Sequence, residues 1–402
     1  MSATVVAMCM EGVGHIHCLL PVMEGLSRRG YEVTAMTKPE FAPAVRDTGA
    51  RFVDLFDGCP LDAADAESVP FPSRFVTFAA TYADSLTARV EALSPSLVLY
   101  DTFTVVAPMV ARAVGVPSVN VMANHAAVPE RVMAALRVDE RVSTSEACRR
   151  AVVTLRDEHG IENASPFMYV DNLSPYLNLC PEPPEFLAAE DRAAFEPVAF
   201  FGCLRPRGTD WPAGQVFGPR RGRRVYVSFG TVVWWYFADL AVAALRSIVE
   251  ALGDTDAEVV ISLGNHPLDA GSRATLAAPG VRVLDYVDQL AALSETDVFV
   301  THHGINSTHE AIHASVPMLS YPFFGDQPDL ARRCQDLGLA VPLVGEPRAA
   351  IGDGAVQHAL ARLDDEREQI EARLAVARTW EENTIAGRPA VLDRLVALMR
   401  DR

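Results

Sequence analysis

The sequence lacks the features of a disulfide-linked, secreted or membrane-spanning protein. Its seven cysteines are an odd number, and no two of them form a C-x-x-C pair, so neither a disulfide framework nor a zinc site is indicated. It has no basic N-terminal segment followed by an apolar stretch and a cleavage site, and no apolar run long enough to cross a bilayer. We therefore expect reduced, buried cysteines and a cytoplasmic protein without a membrane span.

The sequence is also poor in basic residues. It contains 35 lysines and arginines against 52 aspartates and glutamates, which gives a net charge of −17. Binding to nucleic acid needs a basic surface, and none is evident. The basic run from Arg220 to Arg224 precedes a predicted strand and has no interleaved aromatic residues. We expect this run to be a solvated linker segment and the protein to have no nucleic-acid partner.

The length and the alternation of segments predict two α/β domains. At 402 residues the chain exceeds the size at which one hydrophobic core keeps growing. Short apolar segments alternate with segments of helical period, as in parallel sheets covered on both faces. The predicted strands are 4–10, 32–36, 51–55, 97–100, 118–121, 224–229, 258–263, 281–284, 297–301 and 318–321. The predicted helices include 15–29, 103–114 and 237–252, and a helical tail from 364 that residues 386–389 divide in two.

The segment from Asp297 to His313 is the most informative part of the chain. It is an apolar strand that passes through a turn containing Gly304 into a helix expected to begin no earlier than Asn306. The first N–H groups of a helix have no intrahelical partners and carry partial positive charge, so such a helix binds anions. Asn306 or Ser307 can cap the helix and donate to phosphate oxygens, and Glu310 can accept from a ribose hydroxyl.

The same segment resembles the donor-sugar signature of the family 1, UDP-glycosyltransferase-like enzymes of the macrolide and natural-product type. The pattern H-x-G-x-x-S-x-x-E, followed by V-P, P and D-Q, is present within residues 298–328. The resemblance implies an α/β protein of the GT-B fold, with two doubly wound, Rossmann-like domains facing each other across a cleft. Residues 1–204 would bind the acceptor, 205–223 would be a linker, and 224–402 would bind the nucleotide sugar. The last helix would cross back to the first domain.

The resemblance also implies the roles of residues in the second domain. Ser228, Gly230 and Thr231 would approach the phosphates. Tyr286 would stack on the uracil or thymine ring, and the Val287 backbone would read its edge. The full set of implied donor-binding residues is Ser228, Gly230, Thr231, Tyr286, Val287, Gln289, His302, Gly304, Asn306, Ser307, Glu310, Asp326 and Gln327. The intact pair of Asp326 and Gln327 indicates a hexose that keeps its hydroxyls, such as glucose.

An alternative interpretation of this segment is a zinc site. His309, Glu310 and His313 form a literal H-E-x-x-H, the motif of zinc peptidases. In those enzymes the motif lies inside a longer helix with a third ligand downstream, whereas here Val316-Pro317 stops the helix. The metal interpretation explains five residues, whereas the donor-site interpretation explains all of residues 298–328. A zinc peptidase therefore stays a remote alternative.

In the first domain a glycine turn follows the first strand. Gly12-Val13-Gly14-His15 is too short for the dinucleotide G-x-G-x-x-G motif, which disfavours a dehydrogenase. By the resemblance, His15 is the general base and Asp101 orients it; Asp101 read alone can equally cap the helix predicted at Phe103. Of the residues that can contact the acceptor we assign Val13, His125 and Trp234, although core packing remains open for Trp234 and a structural role for His125.

The sequence thus predicts an inverting, metal-independent glycosyltransferase without a cofactor. It would move a hexose from a UDP- or dTDP-sugar to a hydroxyl of a small, largely apolar acceptor of macrolide or polyketide type. A sugar-nucleotide 2-epimerase of the same fold and a non-catalytic partner protein are further alternatives. The acceptor, the sugar, the choice of UDP or dTDP, and the oligomeric state, a homodimer included, stay open.

Overall fold

A computed structural model describes residues 3–400 of the chain except 62–64, 66, 206–215 and 254. Its contacts divide the chain into an N-terminal unit, Met1–Cys203 with Thr384–Arg402, and a C-terminal unit, Leu204–Asn383. Most of the predicted linker, residues 206–215, lies outside the described residues. Among the residues that are described, no helix is both long and apolar enough to cross a membrane.

The N-terminal unit is built on a parallel sheet of seven strands. These are β1 (Thr4–Met8), β2 (Glu32–Thr37), β3 (Arg51–Asp54), β4 (Pro95–Asp101), β5 (Ser118–Val121), β6 (Asn178–Cys180) and β7 (Val198–Phe200). They pair in the order β3-β2-β1-β4-β5-β6-β7. The central strands β1 and β4 are almost wholly buried, as expected for parallel strands covered by helices on both faces. The strand order changes direction between β1 and β4, because β2 and β3 lie on one side of β1 and β5 to β7 lie on the other side of β4. Ligands bind at such a switch point, at the carboxyl ends of the strands.

Helices connect these strands. They are α1 (Val13–Arg28), α2 (Ala42–Arg46), α3 (Arg74–Glu91), α4 (Val106–Val114), α5 (Pro129–Val138) and α6 (Glu146–Asp157). Helix α1 follows β1 directly because Gly12 adopts a φ of 125°, which a residue with a side chain rarely takes. Helix α4 ends at Gly115, whose left-handed conformation closes the helix.

The C-terminal unit repeats this plan with six parallel strands. These are β8 (Arg224–Ser228), β9 (Glu258–Ser262), β10 (Val281–Leu284), β11 (Val298–Thr301), β12 (Met318–Ser320) and β13 (Ala340–Pro342), paired in the order β10-β9-β8-β11-β12-β13. The helices are α7 (Val233–Leu252), α8 (Ala270–Ala274), α9 (Gln289–Leu293), α10 (Ile305–His313), α11 (Gln327–Asp336) and α12 (Ala355–Asp365). A last helix, α13 (Arg367–Arg400), begins in this unit and ends in the N-terminal unit. The predicted fold class, α/β with two doubly wound domains, is confirmed.

The predicted break in the C-terminal tail is wrong. Helix α13 runs without interruption from Arg367 to Arg400, with Pro389 inside it. Tertiary contacts offset the lost helical hydrogen bond, since Arg388 donates to the carbonyls of Phe201 and Gly202 at 2.7 and 3.0 Å, and Arg29 donates to the carbonyl of Pro389 at 2.8 Å. Packing therefore overrides the local preference of the A-G-R-P sequence.

Two helix starts differ from prediction by three residues or more. Helix α4 begins at Val106 and not at Phe103, because the preceding residues form a turn around Asp101. Helix α7 begins at Val233, four residues earlier than predicted, but Phe237 has non-helical angles of φ −138° and ψ 32°, which kink it. The sequence signal at 237 thus marked the kink and not the start.

The cysteines and the basic run are explained by burial and pairing. All seven cysteines are buried and unbridged, as predicted. In the basic run, Arg220 pairs with Asp297 at 3.1 Å and Arg223 with Asp364 at 2.7 Å, both near the surface. Arg224 pairs with Glu295 at 3.2 Å and is largely buried. Three of the four arginines in this run thus pair with acids of their own unit, and the run anchors the start of β8.

Candidate active site

His15 and Asp101 lie together at the carboxyl edge of the N-terminal sheet. Asp101 ends β4, and His15 is in the first turn of α1, which directly follows β1. His15 Nδ1 lies 2.8 Å from Asp101 Oδ2, and the two side chains are 13% and 0% exposed. Because an ionised carboxylate only accepts, Nδ1–H donates to Asp101 and Nε2 is left as the basic nitrogen.

Asp101 is held by further donors. Its carboxylate accepts from the backbone N–H of Phe103 at 3.0 Å and of Met10 at 3.3 Å, and from the Thr104 hydroxyl. Burial acts to raise the pKa of Asp101, but the hydrogen bonds from His15, Thr104 and Phe103 outweigh it and hold the pKa below its usual range. The alternative in which Asp101 caps a helix at Phe103 is therefore wrong, because the carboxylate closes a turn that precedes α4.

The His15 ring is fixed from its flanks. The Phe103 ring lies against it with centroids 4.1 Å apart at an interplanar angle of 32°. A Cβ on Gly12 would lie 3.0 Å from His15 Cδ2, so any side chain at this position would crowd the ring. Val13, predicted to contact the acceptor, is 36% exposed at the first position of the same helix. The sheet edge thus presents an oriented imidazole beside an exposed apolar side chain.

His125 is placed differently from what the sequence suggested. It follows β5 as predicted, but it is 7% exposed, and its Nδ1 lies 2.9 and 3.0 Å from the two carboxylate oxygens of Glu182. Glu182 is fully buried and also accepts from the N–H of Ala126 at 3.1 Å. This pair ties the ends of β5 and β6 together, which is a bracing contact. Glu182 had no signal in the sequence, since β6 has only three residues.

In the C-terminal unit, His302 occupies a space framed by two glycines. A Cβ on Gly230 would lie 2.7 Å from His302 Nε2, and a Cβ on Gly304 would lie 2.5 Å from it. The His302 ring therefore fits only because the turn after β8 and the turn before α10 each have a glycine, without a side chain, next to it. Burial lowers the pKa of His302 to about 4, although an interaction with the Ser228 backbone opposes this shift. His302 is thus neutral at physiological pH.

The turn into α10 is shaped by His303, which the sequence did not single out. His303 has a left-handed φ of 61°, and its Nε2 and Nδ1 lie 2.8 Å from Ser320 Oγ and 3.2 Å from Thr308 Oγ1. Helix α10 begins at Ile305, with Gly304 as the N-cap residue and no side-chain cap. The prediction that Asn306 or Ser307 caps the helix is wrong; both lie in its first turn. The first N–H groups of α10 therefore have no side-chain partner from a cap.

Gln289 connects two of the other predicted donor residues. Its Nε2 lies 3.1 Å from Ser307 Oγ and donates to Glu310 Oε2 at 2.5 Å. Burial raises the pKa of Glu310 to about 7, and the hydrogen bond from Gln289 only partly opposes this. The structure therefore joins residues from α9 and α10 into one polar group. Beside them Tyr286 is 57% exposed and Val287 is 3% exposed, so the Tyr286 ring is accessible for stacking.

The remaining donor residues differ in accessibility. Ser228 ends β8 and its hydroxyl accepts from the Gly230 N–H at 3.4 Å, while Thr231 is half-buried in the same turn. Asp326 is half-buried next to the start of α11. Gln327 is 6% exposed, and its amide oxygen accepts from the N–H groups of Phe323 and Phe324 at 3.0 and 3.2 Å. Its oxygen is therefore committed to the backbone, which leaves only its amide N–H groups for a ligand.

The H-E-x-x-H residues do not converge. His309 Nδ1 lies 2.5 Å from Glu381 Oε1 of α13, both residues being buried, whereas Glu310 accepts from Gln289 of α9. Within the described ranges, no group of three or more His, Cys, Asp or Glu residues is arranged to hold a metal ion. The motif is therefore a chance match in which His309 and Glu310 contact different helices, α13 and α9.

The two tryptophans after the glycine turn have opposite environments. Trp234, predicted to contact the acceptor, is 3% exposed and stacks on His266 with centroids 5.1 Å apart at 11°. Its neighbour Trp235 is 54% exposed. The assignment of Trp234 to the acceptor is therefore corrected, because the first turn of α7 turns that ring inward onto the loop after β9.

Comparisons with known proteins agree with this arrangement. The model of the UDP-glucoronosyl and UDP-glucosyl transferase family matches residues 220–360. The oleandomycin glycosyltransferase of Streptomyces antibioticus is 28% identical over an alignment that covers 97% of this chain and 95% of that protein. The structure of the glycotransferase of kitacinnamycin matches with a TM-score of 0.76 and 23% identity over 99% of both chains. The glycosyltransferase VinC in complex with dTDP matches at 0.69 and 19% identity over 99% of this chain and 100% of its own.

The solved structures, at these identities, establish the GT-B fold. The family model covers the turn at Gly230, the start of α10 and the Asp326-Gln327 pair, and the related sequences extend the match along nearly the whole chain. The chain is a nucleotide-sugar-dependent glycosyltransferase with the GT-B fold, and it is similar to UDP-glycosyltransferase-like enzymes of the natural-product type.

Proposed function

We propose that this enzyme transfers a hexose from a UDP- or dTDP-sugar to a hydroxyl of a small, largely apolar acceptor, with inversion at the anomeric carbon and without a metal ion. The observation that carries this proposal is the 2.8 Å contact between His15 Nδ1 and the buried Asp101. It provides a base of fixed tautomer at a sheet edge. The names of related proteins support the substrate classes, since one acts on oleandomycin and another was solved with dTDP.

His15 Nε2 would take the acceptor proton in the reaction. As the O–H bond breaks, the acceptor oxygen forms a bond to the anomeric carbon on the face opposite the nucleotide, and the bond to the diphosphate oxygen breaks. The products are a glycoside of inverted configuration, a nucleoside diphosphate and an imidazolium at His15. The negative charge on Asp101 stabilises that imidazolium, and its position keeps Nδ1 protonated throughout.

The departing diphosphate would lie at the start of α10. The N–H groups of the first turn, the Ser307 hydroxyl and the neutral His302 ring supply donors without a cap competing for them. This arrangement supplies the charge stabilisation that a divalent ion gives in other transferases, which is why we propose metal independence. Tyr286 would stack on the base, and Glu310, held by Gln289, would accept from a ribose hydroxyl.

A screen of nucleotide sugars against acceptors, read by mass spectrometry, tests the proposal. We expect glycosides from UDP- or dTDP-hexoses, an anomeric proton of inverted configuration by NMR, and unchanged rates after dialysis against EDTA. Retention of configuration, or activity lost in EDTA and restored by zinc, would contradict it. Release of free nucleotide without any acceptor would instead support the sugar-nucleotide 2-epimerase, which the comparisons do not favour.

A further inference from the structure

An exposed aromatic surface lies at the start of α7. Trp235 and Tyr236, called here the aromatic ledge, are 54% and 43% exposed. Aromatic side chains of this size usually bury most of their area, and adjacent exposed ones mark sites of interaction.

The ledge is held in place by the kink of α7. Phe237, at the kink, packs on Phe324 with centroids 5.5 Å apart and on Phe323 at 6.2 Å. The guanidinium of Arg348 lies 4.9 Å from the centre of the Phe237 ring. The kink therefore places Phe237 against these aromatic side chains. This packing also holds the preceding helical turn, which contains the ledge, in a fixed position relative to the sheet.

The ledge adjoins the sugar end of the proposed donor site. It begins four residues after Thr231, and the Tyr236 ring meets the Phe324 ring with centroids 6.0 Å apart. Phe324 is two residues from Asp326, and its N–H donates to Gln327, the other member of the acid–amide pair. A surface beside the sugar can reach the acceptor, because transfer brings the acceptor oxygen within bonding distance of the anomeric carbon.

We infer that the aromatic ledge binds the acceptor by stacking on a flat, uncharged, aromatic face next to the reacting hydroxyl. This inference rests on the proposed function and narrows its acceptor class to planar aromatic hydroxyl compounds. Flat rings gain from offset stacking on Trp and Tyr, which a saturated ring of equal size does not. The exposed Asp239, three residues beyond Tyr236, and the half-buried Asp326 disfavour an anionic acceptor.

Binding of 2-naphthol and of its saturated analogue decahydro-2-naphthol, measured by equilibrium dialysis with UDP present, tests the inference. The wild-type enzyme should prefer 2-naphthol, and Trp235→Ala or Tyr236→Ala should weaken 2-naphthol binding about five- to tenfold while leaving the analogue unaffected. Trp235→Phe should keep most of the preference. Tyr176→Ala, which removes a 49% exposed tyrosine of the N-terminal unit, is the matched control and should change neither.

Three results would overturn the inference: no preference for the flat ring in the wild type, equal losses for both compounds in the ledge variants, or conversion of a dimer to a monomer by Trp235→Ala. The last would make the ledge a contact between copies of this chain. The measurement needs no turnover. If the preference is found but no donor and acceptor pair gives a glycoside, the ledge stands and the proposed function fails.

Discussion

Three histidines in the described part of the chain lie against a buried carboxylate, yet their surroundings give them different roles. The pairs are His15 with Asp101, His125 with Glu182, and His309 with Glu381, and the histidine side chains are 13%, 9% and 0% exposed. Only a nitrogen that a substrate can reach can act as a base. His15 is partly exposed, so its pairing with a carboxylate makes it a suitable base. His309 is fully buried, so the same kind of pairing makes it a structural crosslink between helices.

The framing of His302 by two glycines gives a prediction at single-residue resolution. Gly304 has an ordinary φ of −66°, so Gly304→Ala adds no backbone strain, but its Cβ would lie 2.5 Å from His302 Nε2. We expect the displaced ring to lose the proposed contact with the diphosphate, and the free energy of binding UDP or dTDP to weaken by about 1–3 kcal/mol, as in His302→Ala. Calorimetric titration checks this. The control is Gly345→Ala, where the added Cβ meets nothing within 4 Å; equal affinities in both variants would remove His302 from the nucleotide site.

Buried titratable groups around α10 predict how stability depends on pH. Burial lowers the pKa of His302 to about 4 and of His303 to about 3. These two histidines therefore take up protons near pH 6.5 in the unfolded chain but stay neutral there in the folded chain. Their contribution to the free energy of unfolding is full above pH 6.5 and is lost as the pH falls toward 4. Glu310 has the opposite effect on stability, because burial raises its pKa to about 7. Its contribution to the free energy of unfolding is lost as the pH rises from about 4.5 to 7.

The variant Glu310→Gln separates these two effects. Without the opposing carboxyl group, the free energy of unfolding should fall more steeply on acidification between pH 6.5 and 4.5 than in the wild type. Urea denaturation at half-unit pH intervals measures the slope. A slope that is unchanged or shallower in the variant would contradict the burial of the Glu310 carboxyl group.

At the scale of elements, the sequence predicted what depends on local pattern and missed what depends on pairing. Strands β5 and β10 were predicted with their observed bounds, because valine occupies every second position in both segments and Pro117 and Gly280 mark where they begin. Strands β6, β7 and β13 have three residues each, too few for a period, and exist through their hydrogen bonds to neighbours. The continuity of α13 through Pro389 likewise depends on arginine contacts that no local rule contains.

The buried pair of His309 and Glu381 joins two elements, α10 and α13, and its removal should be costly. Glu381→Gln removes the negative charge and leaves His309 buried without its charged partner. We expect the free energy of unfolding to fall by about 3–5 kcal/mol. Glu382→Gln, which removes an exposed partner of Arg378, should cost less than about 1 kcal/mol. Urea denaturation compares them. The double change of His309 and Glu381 to apolar residues should recover much of the loss; if it does not, packing and not the uncompensated polar group explains the effect.

For the whole molecule, the predictability of the site follows from the distance in sequence between its parts. Seven of the thirteen proposed donor-binding residues lie within residues 298–328, so one contiguous motif contained these seven. His15 and Asp101 are 86 residues apart, and they could be paired because the carboxyl ends of adjacent parallel strands meet at one edge. Glu182, Glu381 and the inward orientation of Trp234 could not be predicted, because each depends on which side chain packing turns inward.

The central claim, that His15 is the base of a glycosyl transfer, is tested most directly by the turnover of His15→Ala on two acceptors. With an aliphatic alcohol we expect a loss of about 10²–10⁴-fold, with nucleotide affinity nearly unchanged, because the proton transfer belongs to the transition state. Asp101→Asn should also be slower, since it disturbs the tautomer. A nitrophenol, whose hydroxyl is already acidic, should partly restore turnover. Full activity of His15→Ala on the aliphatic alcohol would contradict the account.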